Sequence, residues 1–229
     1  MQFSESNQWG VKEFISLLLL TLLFVPIFIE TFVKNHLKQL FDNELYSGTL
    51  TGLIMAIIFL TAIYLISLKP YQYSWKKVGV RSFPKRYCWK IILWTIALIT
   101  ASTIIFVLLS FIDIGTENTK TESIKSNLSI FNLFIAIISA GIISPIYEEI
   151  LYRGFFYKWF RIRCGIFWSV IFSSSIFTIV HIPTYNALPV NFICGVVFAL
   201  TYEKTKSIIP AIIIHALFNG AAVILTAYS

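Results

Sequence analysis

IFNLFIAIISAGIISPIYEEILYRGFFYKWF, residues 130–160, is apolar over more than one plain membrane crossing, yet it carries Glu148, Glu149 and Arg153. Crossing the hydrocarbon takes about 17 to 25 apolar residues at 1.5 Å per residue. A charge near the bilayer centre costs roughly 2.5 to 3.5 kcal/mol even on lenient insertion scales. Three such side chains in one run therefore mark the first place to look for function.

Further apolar runs lie near 14–33, 48–68, 89–112, 166–182, 188–202 and 208–228. The chain has 229 residues, 57% of them hydrophobic and 13% charged, with mean hydropathy +0.79; a soluble domain carries about 25% charged residues. These runs predict an all-α polytopic membrane helix bundle of about seven transmembrane helices, alternatively six or eight. The unit is a single integral membrane domain, 1–229, with a helical core over 130–225. The first run reads as a retained helix, because Glu5 and Glu13 flank it beside Lys12 and no small-x-small site follows. Cys88, Cys164 and Cys194 lack metal-ligand or paired spacing and read as small apolar residues.

The net charge of +7 does not point to nucleic acid, since the basic residues are spread over loops between apolar runs. With the N-terminus placed inside, fourteen of the 18 Lys and Arg residues fall on inside loops; Lys34, Lys38, Lys120 and Lys125 fall outside. The positive-inside rule then predicts a cytoplasmic N-terminus and an extracytoplasmic C-terminus. The segment 69–90 is the longest inside loop and reads as a topology determinant, with Trp75, Tyr87 and Trp89 suited to the headgroup region.

Three polar clusters stand in these runs. Glu149 and Arg153 are i and i+4 on one helix face and can pair, leaving Glu148 directed elsewhere as a candidate base. The alternative is an ion network that only holds helices together. His181 follows Phe177 at i+4, so the ring can pack beneath the imidazole; a lone apolar-run His is otherwise a hydrogen-bonded core residue. If the runs on either side of Cys164 and Gly165 form an antiparallel hairpin, Glu148 and His181 each lie about 16 residues, roughly 24 Å, from the turn. They can then meet. His215 and Asn219 share a face of the last run, among Ala216, Gly220, Ala221 and Ala222, which permit close approach. An imidazole and a carboxamide side by side can stabilise an oxyanion, or Asn219 can make an interhelical hydrogen bond. His215 lies only about 9 residues, roughly 14 Å, beyond Lys206, which matches the other two depths imperfectly.

One carboxylate, two imidazoles and a carboxamide make a water-activating base with an oxyanion site. Equally, Glu148, His181 and His215 make a ligand set for a divalent metal such as zinc, whose bound water is the nucleophile. Both chemistries hydrolyse an amide.

The order Glu-Glu-x-x-x-Arg, Phe-x-x-x-His, His-x-x-x-Asn over about 130–225 resembles the CPBP family of intramembrane proteases, also called the Abi or CAAX-protease family. The resemblance implies that Glu148 and His181 activate water, that His215 and Asn219 form the oxyanion site, and that Glu149 and Arg153 organise the base. It implies a metalloprotease or a metal-independent glutamate protease. Its members include the Ras-converting endoprotease and bacterial enzymes of bacteriocin or pheromone processing and self-immunity. A chain rich in Ile, Lys and Asn favours a bacterial membrane and a membrane-associated peptide or protein substrate. The competing class is a non-enzymatic bacteriocin immunity or scaffold protein. A proton-coupled transporter also uses intramembrane Glu and His, but no internal repeat is visible.

Overall fold

The computed structural model describes residues 9–112, 115, 118–125 and 128–228, all helices and connections among them, without strands; Glu5 lies outside the described residues. Among the described residues, six helices are long and apolar enough to cross a membrane: α1 Val11–Phe41, α2 Glu44–Tyr71, α3 Lys85–Ser110, α4 Ile130–Ile179, α5 Tyr185–Thr205 and α6 Ile209–Ala227. This is an integral membrane bundle.

The 50-residue α4 is two arms. Gly165 breaks its helical path with φ 74° and ψ −175°, a backbone conformation glycine adopts without the Cβ clash of other residues. The arms run back along each other: Arg153 and Phe177 are each 12 residues from Gly165, and the guanidinium carbon sits 4.5 Å from the Phe177 ring centre. Counting the arms separately recovers the seven helical segments expected from the apolar runs.

The exterior is apolar and several polar side chains are buried beside an apolar core. Leu23, Ile57, Ile92, Leu93, Ile96 and Leu108 are exposed, while Glu149, Arg153, Ser169, Ser173, Ser174 and Thr201 are buried. Apolar side chains face lipid at no cost, whereas polar groups inside hydrocarbon must find partners within the bundle. Around the Arg153 guanidinium lie the rings of Tyr152, Phe177 and Phe198, all buried.

Two widened, π-helical stretches, Ser139–Ile143 and Ile150–Tyr157, flank the Ser144–Glu149 turn that carries both glutamates. Such widening interrupts the i to i+4 ladder and is frequent at functional sites.

The segment between α2 and α3 does more than set topology. Lys158 Nζ donates to the Lys77 carbonyl at 2.7 Å, Arg81 Nε to the Lys206 carbonyl at 2.7 Å, and the Ile208 N–H to the Gly79 carbonyl at 3.0 Å. Val78 is fully buried. Gly154 admits this loop, since a Cβ there would stand 2.6 Å from the Val78 carbonyl oxygen. Trp75 and Trp89 are exposed as expected for headgroup residues, but Tyr87 is buried in the core. Of the cysteines, Cys194 is buried whereas Cys88 and Cys164 are exposed.

Candidate active site

Glu149 stands at the centre of the polar cluster. Its Oε1 accepts from Arg153 Nη1 at 3.1 Å and lies 3.0 Å from His215 Nδ1. Both Glu149 and Arg153 have no exposed side-chain surface. Arg153 Nη2 donates onward to the Gly195 carbonyl at 3.0 Å, joining α4 to α5. The i to i+4 pairing read from the sequence is therefore present, and it has a third member from α6. Glu149 is directed to His215.

Glu148, one residue earlier, points to the other side of the same imidazole: its Oε2 lies 3.8 Å from His215 Nε2, with 13% of its side chain exposed. That separation exceeds a direct hydrogen bond but is an ion-pair distance. His215 is thus held between the two glutamates, its ring stacked on Phe198 at 4.6 Å between centres.

His181 occupies the turn directly after α4. Its Nδ1 contacts the Phe177 carbonyl at 2.7 Å; a carbonyl can only accept, so Nδ1 carries a proton and donates. The Phe177 ring lies 4.9 Å from His181 and 5.8 Å from His215, packing against both imidazoles. Packing of Phe177 beneath His181 follows from their spacing.

Asn219, one turn beyond His215, donates from Nδ2 to the Ala140 carbonyl at 2.9 Å. The acceptor belongs to the widened turn Ser139–Ile143. An amide nitrogen carries two hydrogens, so this interhelical bond commits one. Close packing permits it: a Cβ at Gly141 would lie 3.5 Å from the Ala216 carbonyl oxygen and 3.8 Å from Gly220.

The uneven depth of His215 has a structural reason. Glu203, near the end of α5, accepts from Tyr157 Oη at 2.7 Å and from Arg161 at 3.2 Å, and it pairs with Lys206 at 2.9 Å. The α5–α6 turn therefore lies level with residues 157–161 of α4, above the Gly165 turn. The loop at Lys77–Arg81 fills the space beneath. Measured from that level, Glu149 is 8 to 12 residues along α4 and His215 is 12 beyond Glu203. They meet.

Three participants carried no sequence signal. Phe198 is one aromatic in an apolar run, and the Gly195 and Ala140 carbonyls are backbone groups visible only once helices pack. Glu30 of α1, an acidic residue four positions after Pro26 in an apolar run, is half-buried. Among the described residues no three His, Cys, Asp or Glu side chains converge as a group that could hold a metal ion, and Glu148, His181 and His215 do not form one.

No curated protein and no solved structure matches the chain. Residues 129–221 match the family model described as type II CAAX prenyl endopeptidase, Rce1-like. The matched range contains Glu148, Glu149, Arg153, His181, His215 and Asn219, and it agrees with the CPBP likeness of the three motifs. Over residues 129–221, the chain is similar to the Rce1-like family of CAAX prenyl endopeptidases.

Proposed function

We propose that the protein hydrolyses a peptide bond in a membrane-associated peptide or protein, with Glu148 as general base. The carrying observation is the placement of one imidazole between two glutamates: His215 Nδ1 is 3.0 Å from Glu149 and Nε2 is 3.8 Å from Glu148. Either ring nitrogen of an imidazole can donate, and His215 presents one to each carboxylate.

In the reaction, a water between Glu148 and the scissile carbonyl gives its proton to the carboxylate as its oxygen bonds to the carbonyl carbon. The carbonyl oxygen becomes an oxyanion, which His215 Nε2–H and the second Asn219 N–H stabilise. Collapse breaks the C–N bond, and the proton held by Glu148 passes to the leaving amine. His181 orients the water. Glu149 and Arg153 act through His215, holding its orientation. On the basic-residue asymmetry, the end bearing Arg161, Arg163 and Lys204 faces the cytoplasm.

The test is cleavage of a membrane-associated precursor peptide by purified protein in lipid. Glu148→Ala should lower turnover by about 10² to 10⁴ while leaving the melting temperature near wild type, because Glu148 sits at the cluster's partly exposed side. Cleavage by Glu148→Ala at the wild-type rate would sink the assignment. Elemental analysis of active protein decides the metal question: a stoichiometric divalent ion lost with activity on chelation would move water activation from Glu148 to the metal.

A further inference from the structure

Away from the polar cluster, a groove of about 820 Å³ lies between the start of α3 and the end of α5. Its walls include Arg86, Lys90 and Lys204, all exposed, together with Leu93, Trp94 and Ala97. The lining holds no acidic residue. Glu203, the neighbour of Lys204, is engaged by Tyr157, Arg161 and Lys206 and so does not neutralise the groove.

The groove is polar at one end and apolar at the other along a single helix. From Arg86 through Lys90 to Leu93 and Ala97, successive lining residues are three or four apart, one stripe of α3 about 16 Å long. Lys90 Nζ is held over the rings of Tyr87 and Trp89, 5.5 Å from each centre. Exposed Trp89 marks the headgroup level. The apolar stripe continues with Leu93 at 53% and Ile96 at 55% exposure on the face turned to lipid. A soluble anion would use the cations and leave the stripe bare; a zwitterionic lipid would use the stripe and leave three cations uncompensated.

We propose that this groove is a binding site for one anionic glycerophospholipid, its phosphate among Arg86, Lys90 and Lys204 and an acyl chain along Leu93 and Ala97. Basic pockets between helices at a membrane face recognise such headgroups, and each cation near an anionic lipid is worth about five-fold in affinity. Three together give about a hundred-fold preference over an uncharged headgroup. Because the site joins α3 to α5, an occupant ties the helix after the basic loop to the helix that supplies the Gly195 carbonyl and Phe198.

The experiment is native mass spectrometry of the full chain in detergent, titrated with dioleoyl phosphatidylglycerol, with dioleoyl phosphatidylcholine and with glycerol 3-phosphate. Phosphatidylglycerol should be retained through detergent removal, phosphatidylcholine about a hundred-fold less, and glycerol 3-phosphate should not displace the lipid. Arg86→Gln/Lys90→Gln/Lys204→Gln should abolish the preference, and Lys204→Gln alone should weaken it about five-fold. Lys12→Gln/Lys76→Gln, which removes exposed cations outside the groove, should leave it unchanged. Retention by the triple variant, equal loss in the Lys12/Lys76 pair, or displacement by glycerol 3-phosphate would each overturn the site.

Discussion

Changing Glu149 to Gln preserves a carbonyl-type acceptor of nearly the same shape and removes only the charge. The consequence can be followed through the neighbours. Arg153 has no exposed surface; without Glu149 it keeps the Gly195 carbonyl at 3.0 Å and the Phe177 and Phe198 faces at 4.5 and 5.1 Å, none of which carries a formal charge. Stranding one partner of a buried pair costs about 3 to 5 kcal/mol, a large part of the 5 to 15 kcal/mol typical of a folded domain. Arg153→Met should cost a similar amount. Replacing both ions by groups of similar volume is often neutral, so Glu149→Gln/Arg153→Met should cost no more than about one single variant, falling about 3 to 5 kcal/mol short of the sum of the singles in reversible unfolding from mixed micelles. Peptide cleavage should not recover in the double variant, since the introduced carboxamide can accept from His215 Nδ1 but carries no charge. Additivity within about 0.5 kcal/mol would refute the pairing, and recovered cleavage would refute the charge role of Glu149.

Gly195→Ala should lower stability by about 1 to 3 kcal/mol, because the new methyl would stand 2.9 Å from Ser174 Cβ and 3.1 Å from its Cα; Gly220→Ala, which meets nothing within 4 Å, is the matched control in thermal unfolding. Asn219→Ala loses the Ala140 bond, worth about 0.6 and at most about 1.7 kcal/mol in a bundle, but should reduce kcat by about 10² to 10³ through the oxyanion. A small loss of stability with unchanged kcat would reduce Asn219 to an interhelical tie.

What could be read from the chain followed helical spacing within one segment. Glu149 with Arg153 and Phe177 with His181 are i and i+4 pairs, and both contacts are present at 3.1 Å and 4.9 Å. The hairpin at Gly165 was legible because its two arms are covalently joined and because Glu148 and His181 lie equally far from the turn. The unread part is interhelical. Spacing can place Glu149 beside Arg153, but no local rule says that its carboxylate also receives His215 from a helix 66 residues away. Nor does any signal mark Ala140, since an amide acceptor becomes available through widening of its own turn.

Depth shows why those two kinds of information had to be combined. A register counted from loop ends assumes that all turns lie in one plane, and under that assumption His215 falls short of Glu149. The α5–α6 turn is raised instead, because Glu203 is bound by Tyr157 and Arg161 partway up α4. The Lys77–Arg81 loop fills the space beneath it through Lys158, Lys206 and Ile208. The basic loop and the Glu203 network thus set the level at which α6 begins, and that level carries His215 to the glutamates. Residues at the cation-rich end, far from any reacting atom, fix the geometry of the candidate base and its imidazole partner.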